Sequence, residues 1–196
     1  MTCGAISVYE LPPSGNVDGY VGFVDPSGGS ADSYTLAVSH REGERVVLDC
    51  VRERRPPFNP DDATAEFVAV LRSYRIREVT GDRYGGDWVR QAFGKHNIEY
   101  RCSEKPKSEL YIDFLPLVNS GRVELLDVPR MATQLLALER RTARGGRDTV
   151  DHAPGGHDDL ANAAAGACAL AAGEQGGGLF LLYKREYERR MAGSPS

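Results

Sequence analysis

The sequence predicts a mixed α/β fold: one central sheet of three antiparallel strands followed by parallel ones, with helices on both faces. Three observations carry this. Short apolar runs at Gly19–Asp25, Ser33–His40 and Arg45–Val51 are separated by turn-length gaps, as a meander requires. After Pro56-Pro57 the pattern changes to helical spacing and then alternates strand with helix, the order expected where parallel strands are joined by crossovers. The last regular block, Asp158–Ala172, is built almost wholly from Ala, Leu, Gly and Cys, whose small side chains suit close packing on a sheet.

Taken in order, the first 17 residues carry Pro12, Pro13, Ser14 and Gly15 with no periodicity and read as a linker or interdomain remnant. Glu42-Gly43 is expected to turn the chain between the second and third strands. Asn59, Pro60 and Asp61 form a helix start, and Phe67, Val70, Leu71 and Tyr74 continue it at helical spacing. Arg77–Asp82 then reads as a strand, Asp87–Phe93 as a short helix and Ile98–Cys102 as a strand. Pro106–Val118 and Pro129–Arg141 are expected helices with a short extended piece, Val123–Leu126, between them. Thr142–Gly156 reads as a loop rich in glycine and charge. The expected division is 1–17 linker, 18–175 domain and 176–196 a charged, partly flexible tail.

A chain of 196 residues, 41% of them apolar, is long enough for one domain with a sizeable core. No window approaches the roughly 20 apolar residues of a membrane span, and the N-terminus lacks the basic-then-apolar order of a signal peptide, so an intracellular location is expected. Cys3, Cys50, Cys102 and Cys168 are scattered without a C-x-x-C, which argues against a disulfide framework or zinc knuckle. The net charge of −4 gives no global case for nucleic acid, although the position of each Lys and Arg matters as much as their sum.

Three segments put an acid where a strand ends or a helix begins, beside glycines: Asp25 in VDPSGG, Asp82 in TGDRYGG and Asp158-Asp159 in GGHDDLANA. Such positions face one rim of a mixed sheet, so distant acids can converge. Convergent carboxylates without counter-charge repel one another and raise their own pKa values; Mg²⁺ or Mn²⁺ relieves that and prefers oxygen ligands. Two ions roughly 3.5–4 Å apart would suit phosphoryl displacement, with Asp25 as the bridging ligand from a central strand. Taken singly, each motif is also an ordinary turn or a helix-start acid. Asp32, seven residues after Asp25, is a candidate accessory acid, while His152 and His157 lack the Cys or Glu companions of a zinc site.

Arg140, Arg141, Arg144 and Arg147, expected at a helix end and a flexible loop just before the acidic helix, are candidates to track DNA phosphates. Lys105 and Lys107 beside Pro106 are further candidates. There is no G-x-x-x-x-G-K-[ST], hence no ATP site of that type, and no G-x-S-x-G, H-E-x-x-H or dinucleotide fingerprint.

The ordered set YVGFVDPSGGSADSYTLAVSH, VTGDRYGGDWVRQAF, SEKPKSELY, LLDVPRMATQLLALERRTARGGRD and DHAPGGHDDLANAAAGA resembles the nuclease domain of phage terminase large subunits over roughly Gly19–Ala171. The resemblance implies a ribonuclease-H-like fold and an endonuclease dependent on Mg²⁺ or Mn²⁺, with two ions, that cuts concatemeric double-stranded DNA in the host bacterial cytoplasm. It places the family's first acid on Asp25, the second on Asp82 and the third on Asp158 or Asp159, with a lean to Asp159, and matches Asp32 to an accessory acid of some members. It also implies partners: a packaging ATPase domain, a small subunit and a portal. The rival expectations are a Holliday-junction resolvase or transposase-like nuclease of the same fold, and a non-cleaving module that docks on portal or ATPase.

Overall fold

The structure is a computed structural model that describes residues 7–17, 19–82, 86–142 and 148–173. Its strands are β1 (Ser7–Glu10), β2 (Val21–Asp25), β3 (Tyr34–Glu42), β4 (Arg45–Arg54), β5 (Glu78–Gly81), β6 (Glu99–Cys102), β7 (Val123–Glu124), β8 (Leu138–Thr142) and β9 (Asp148–His152). Its helices are α1 (Pro60–Ser73), α2 (Gly86–Gly94), α3 (Lys107–Asn119), α4 (Pro129–Leu136) and α5 (159–173). The main sheet runs β1-β4-β3-β2-β5-β6, with β7 beside β4.

The meander β2-β3-β4 is antiparallel, and β5 and β6 add to it in parallel, as the sequence pattern requires. The β3–β4 turn falls one residue later than expected, at Gly43-Glu44, because Glu42 still pairs with Arg45. Helix α1 starts as read: the Asn59 side chain accepts from the Asp61 N–H at 2.9 Å and Pro60 fills the first turn.

Two expectations are corrected. Ser7–Glu10, read as part of a structureless linker, is strand β1, antiparallel to β4 along Cys50–Glu53. It fills the half of β4's outer edge that β7, paired at Val46-Val47, leaves open. Helix α4 stops at Leu136 rather than at Arg141. Glu139, Arg140 and Arg141 instead lie on β8, which pairs with β9 in the stretch read as loop. The hairpin wins because it buries Val150 against α3, where the Ser108 hydroxyl accepts from the Val150 N–H at 2.9 Å. Arg144, Arg147 and the 176–196 tail lie outside the described residues.

Each face of the sheet carries its own core. Val24, Tyr34, Leu36 and Val79 meet α1 and α2 on one side; Phe23, Ala37, Leu48 and Val51 meet α3, α4 and α5 on the other. Helix α5 is buried nearly all round, with Ala161, Ala163, Ala164, Ala165, Ala167 and Cys168 fully covered. Its small side chains have a stereochemical cause. A Cβ at Gly166 would stand 2.5 Å from the Phe23 ring, so only glycine lets the helix lie this close to β2.

Candidate metal centre

Strands β2, β4, β5 and β6 end at the same rim, because β3 is antiparallel to its neighbours and the rest run together. Side-chain alternation then selects a face. Phe23 belongs to the α5 side and Val24 to the other, so Asp25, two residues after Phe23, turns toward α5. On β5, Val79 packs on the α1 side, and a Cβ on Gly81 would strike Tyr100 at 2.7 Å and Val24 at 2.8 Å. Asp82, next in the chain, follows on the α5 side; its carbonyl accepts from the Tyr100 hydroxyl at 2.8 Å. Val24 pairs with Gly81, which sets Asp25 and Asp82 side by side at the ends of parallel strands.

Helix α5 brings the remaining acids from far along the chain. Asp159 is 8% exposed, and one of its carboxylate oxygens accepts from the Ser33 N–H at 3.3 Å, while its carbonyl accepts from the Thr35 hydroxyl at 2.8 Å. These bonds pin the start of α5 to β3, the strand beside Asp25. The consequence for Asp25 is electrostatic. Burial, then the negative charge of Asp159, Asp82 and Asp158, pushes its pKa up to about 7, against the opposing effect of the neighbouring Asn162 amide. Burial likewise raises Asp159, with Asp32 and Asp158 adding to it and Ser33 and His157 opposing.

Asp158 has a different setting from its neighbour. Its carboxylate takes the Tyr111 hydroxyl at 2.8 Å and the Lys107 ammonium at 3.0 Å, and Lys107 also reaches Asp151 at 2.8 Å. The two carboxylates outweigh the burial of Lys107 and raise its pKa; in turn Lys107 outweighs burial at Asp151 and lowers its pKa. Lys107, expected at the DNA, thus serves as an internal counter-charge. The other described cations expected there are also paired: Lys105 with Asp113, Arg140 with Asp148 and Arg141 with Glu139.

Among the described residues, two groups of potential metal ligands have donor atoms within 4.8 Å of one another, Asp32 with His157 and Asp159, and Asp151 with His152 and Asp158; Asp25 and Asp82 fall in neither. In the first, His157 Nδ1 lies 3.3 Å from the exposed Asp32. In the second, His152 Nδ1 must donate to the Ala153 carbonyl at 2.8 Å, which leaves Nε2 facing Asp158 at 3.9 Å.

Two residues of the rim escape a reading of motifs. Asn162 is 1% exposed, and neither polar atom of its side chain has a partner in hydrogen-bonding geometry. This amide, near enough to Asp25 to favour its charged form yet outside strict hydrogen-bonding geometry, fits beside that carboxylate a site for an oxygen-preferring cation and its water. A lone Asn in an Ala-rich helix, one turn beyond Asp158-Asp159, is the signal that could have found it. Glu53, 2% exposed and opposite Thr35 in the register, is the second.

The architecture defines a class of fold: a mixed parallel and antiparallel sheet between helices, with carboxylates from strand ends and from α5 at one rim. Among solved structures it is similar to the large terminase nuclease of thermophilic phage G20c with bound magnesium, at 17% identity and a TM-score of 0.64 over 81% of this chain and 83% of that one. The nuclease domain of the large terminase subunit of bacterial virus Sf6 with manganese matches at 12% identity and 0.59, over 78% and 88%. The bacteriophage HK97 large terminase matches at 13% identity and 0.61, over 83% of this chain and 44% of that longer one. No family model and no curated protein matches the sequence. The fold is that of large terminase nuclease domains, as the sequence resemblance implied. No helix among the described residues is long and apolar enough to cross a membrane.

Proposed function

We propose that this chain is a divalent-metal-dependent endonuclease of a phage DNA-packaging terminase, cutting double-stranded DNA with little sequence preference. One observation carries the reading: at one rim of a terminase-nuclease fold Asp25 is buried beside Asn162 and within the electrostatic reach of Asp159, Asp82 and Asp158, which with burial raise its pKa to about 7. The repulsion that raises Asp25 to about 7 is the cost that a bound Mg²⁺ or Mn²⁺ would offset.

Asp25, Asp82 and Asp159 would hold the metal, with Asp32 as an outer acid and Asp25 shared if two ions bind. The bound cation would activate water and neutralise charge on the phosphodiester. The chain's own groups set the conditions for this. Asp25 gives up a proton when the site fills, and Ser33 fixes the orientation of Asp159 through its backbone N–H. Lys107 and Tyr111 keep Asp158 engaged, so its charge is compensated without metal. Products with 3′-hydroxyl and 5′-phosphate ends are expected. Through its neighbours in a terminase, the domain would work with an ATPase, a small subunit and a portal inside the infected bacterium.

Plasmid cleavage tests the reading, with Mg²⁺, Mn²⁺, Ca²⁺ or EDTA and with Asp25→Asn alongside. Cutting in Mg²⁺ or Mn²⁺, absent in EDTA and in the variant, is the expected result. A folded wild type that leaves DNA intact in Mn²⁺ refutes it.

A further inference from the structure

Where β4 leaves the sheet, buried Glu53 lies between two arginines: Arg55 Nε is 3.1 Å from one of its oxygens and Arg130 Nε is 3.1 Å from the other. The Ser33 hydroxyl donates to the same carboxylate at 2.8 Å, while the Ser33 N–H donates to Asp159 at 3.3 Å. One serine therefore joins the arginine pair to the acidic cluster. The two arginine side chains are 54% and 40% exposed, and their terminal nitrogens have no hydrogen-bond partner among the described residues. A cavity of about 180 Å³ opens between them, lined also by Pro129 and Leu160.

The charge count sets this place apart from the other cations near the rim. Arg140, Arg141, Lys105 and Lys107 each face at least one carboxylate of their own, whereas Arg55 and Arg130 share a single one. The pair keeps a net positive charge: Arg55 Nε donates to Glu53, Arg130 makes an ion pair with the same carboxylate, and both side chains remain partly exposed beside the cavity. A guanidinium fork matches the two free oxygens of a phosphodiester.

We propose that Arg55 and Arg130, held by Glu53, grip a backbone phosphate of the DNA strand next to the phosphodiester presented to the acidic cluster. This rests on the nuclease reading, and deepens it by naming which group on the substrate the chain positions and with what. It adds a phosphate contact at the end of β4 to the candidates of the Arg140–Arg147 stretch.

Binding of a fluorescein-labelled duplex, followed by anisotropy with Ca²⁺ present and salt varied, tests the proposal on the full chain. Arg55→Ala/Arg130→Ala should bind about tenfold more weakly. Its plot of log affinity against log salt should be shallower by about 0.9, the worth of one phosphate. Arg45→Ala removes the same kind of charge at the opposite end of β4, where Arg45 pairs with Glu124, and should leave affinity and slope unchanged. Because the double variant leaves Glu53 buried without a counter-charge, a triple variant that adds Glu53→Gln guards against misfolding and should show the same losses. Wild-type affinity in a folded triple variant, or an equal loss in Arg45→Ala, overturns the arginine grip alone. A wild type that binds no duplex overturns the nuclease reading, and the grip with it.

Discussion

Asp25 combines two properties that normally oppose each other: it is the group most central to the rim, and in the metal-free protein it is destabilising. Its folded pKa of about 7 lies above the ordinary carboxylate value of 3.8, so the native state binds the extra proton between those limits and stability falls as pH rises through them. Asp25→Asn removes that burden. The metal-free variant should be more stable than wild type at pH 8 by about 2–4 kcal/mol, read from urea midpoints in EDTA, and should lose DNA cutting altogether. Added Mg²⁺ should raise the wild-type midpoint and leave the variant's where it was. The adjacent acids separate by the same logic. Asp159→Asn keeps an oxygen for the Ser33 N–H, so it should lose at least about a hundredfold in cutting with little change in melting temperature. Asp158→Asn weakens a contact with Lys107 and Tyr111, so its main effect should be on stability, a loss of about 1–3 kcal/mol in a denaturation curve.

At the scale of elements, the rim depends on how closely α5 approaches β2, and Gly166 sets that approach. Gly166→Ala places a methyl group against the Phe23 ring and should cost about 1–3 kcal/mol, with Phe23→Leu recovering part of the loss in the double variant. The same elements show what a sequence discloses. The meander, α1 and the small-residue helix were legible because each has a local cause: alternation, the Asn59-Pro60 start, and the alanines that pack on the sheet. The acids were legible for a related reason, since each stands at the punctuation between a strand or helix and a glycine turn. Strand β1 was not, because four residues just ahead of Pro12-Pro13 become a strand only through the edge of β4. The end of α4 was hidden likewise: Leu138–Thr142 continues a helical pattern locally, and only pairing with β9 makes it a strand. Asn162 and Glu53 matter through neighbours more than 100 and about 20 residues away, respectively, and no motif spans such distances.

Across the whole molecule, charge is divided between the two ends of the sheet. The acidic rim lies at one end. At the other, buried His40 bonds Asp49 at 2.7 Å through Nδ1 and Glu42 at 3.1 Å through Nε2. Burial alone would lower the His40 pKa, but the two carboxylates outweigh it and raise the value. The unfolded chain titrates near 6.5, so the contribution of this pair is fully present below that pH and is lost as pH rises through the higher folded value. Urea midpoints from pH 6 to 9 should therefore fall more steeply for wild type than for His40→Gln; parallel curves would contradict this. The two titrations act at separate ends, so Asp25→Asn and His40→Gln should combine additively.

The hydrogen bond from Ser33 to Asp159 joins residues 126 positions apart. During synthesis at about 5–20 residues per second, the meander and its Asp25 leave the ribosome many seconds before the helix that completes the cluster. A chain interrupted anywhere before α5 can form much of its sheet and still lack Asp158, Asp159 and Asn162. The order of residues thus acts as a timer: α5, the last helix among the described residues, is the one that completes the cluster.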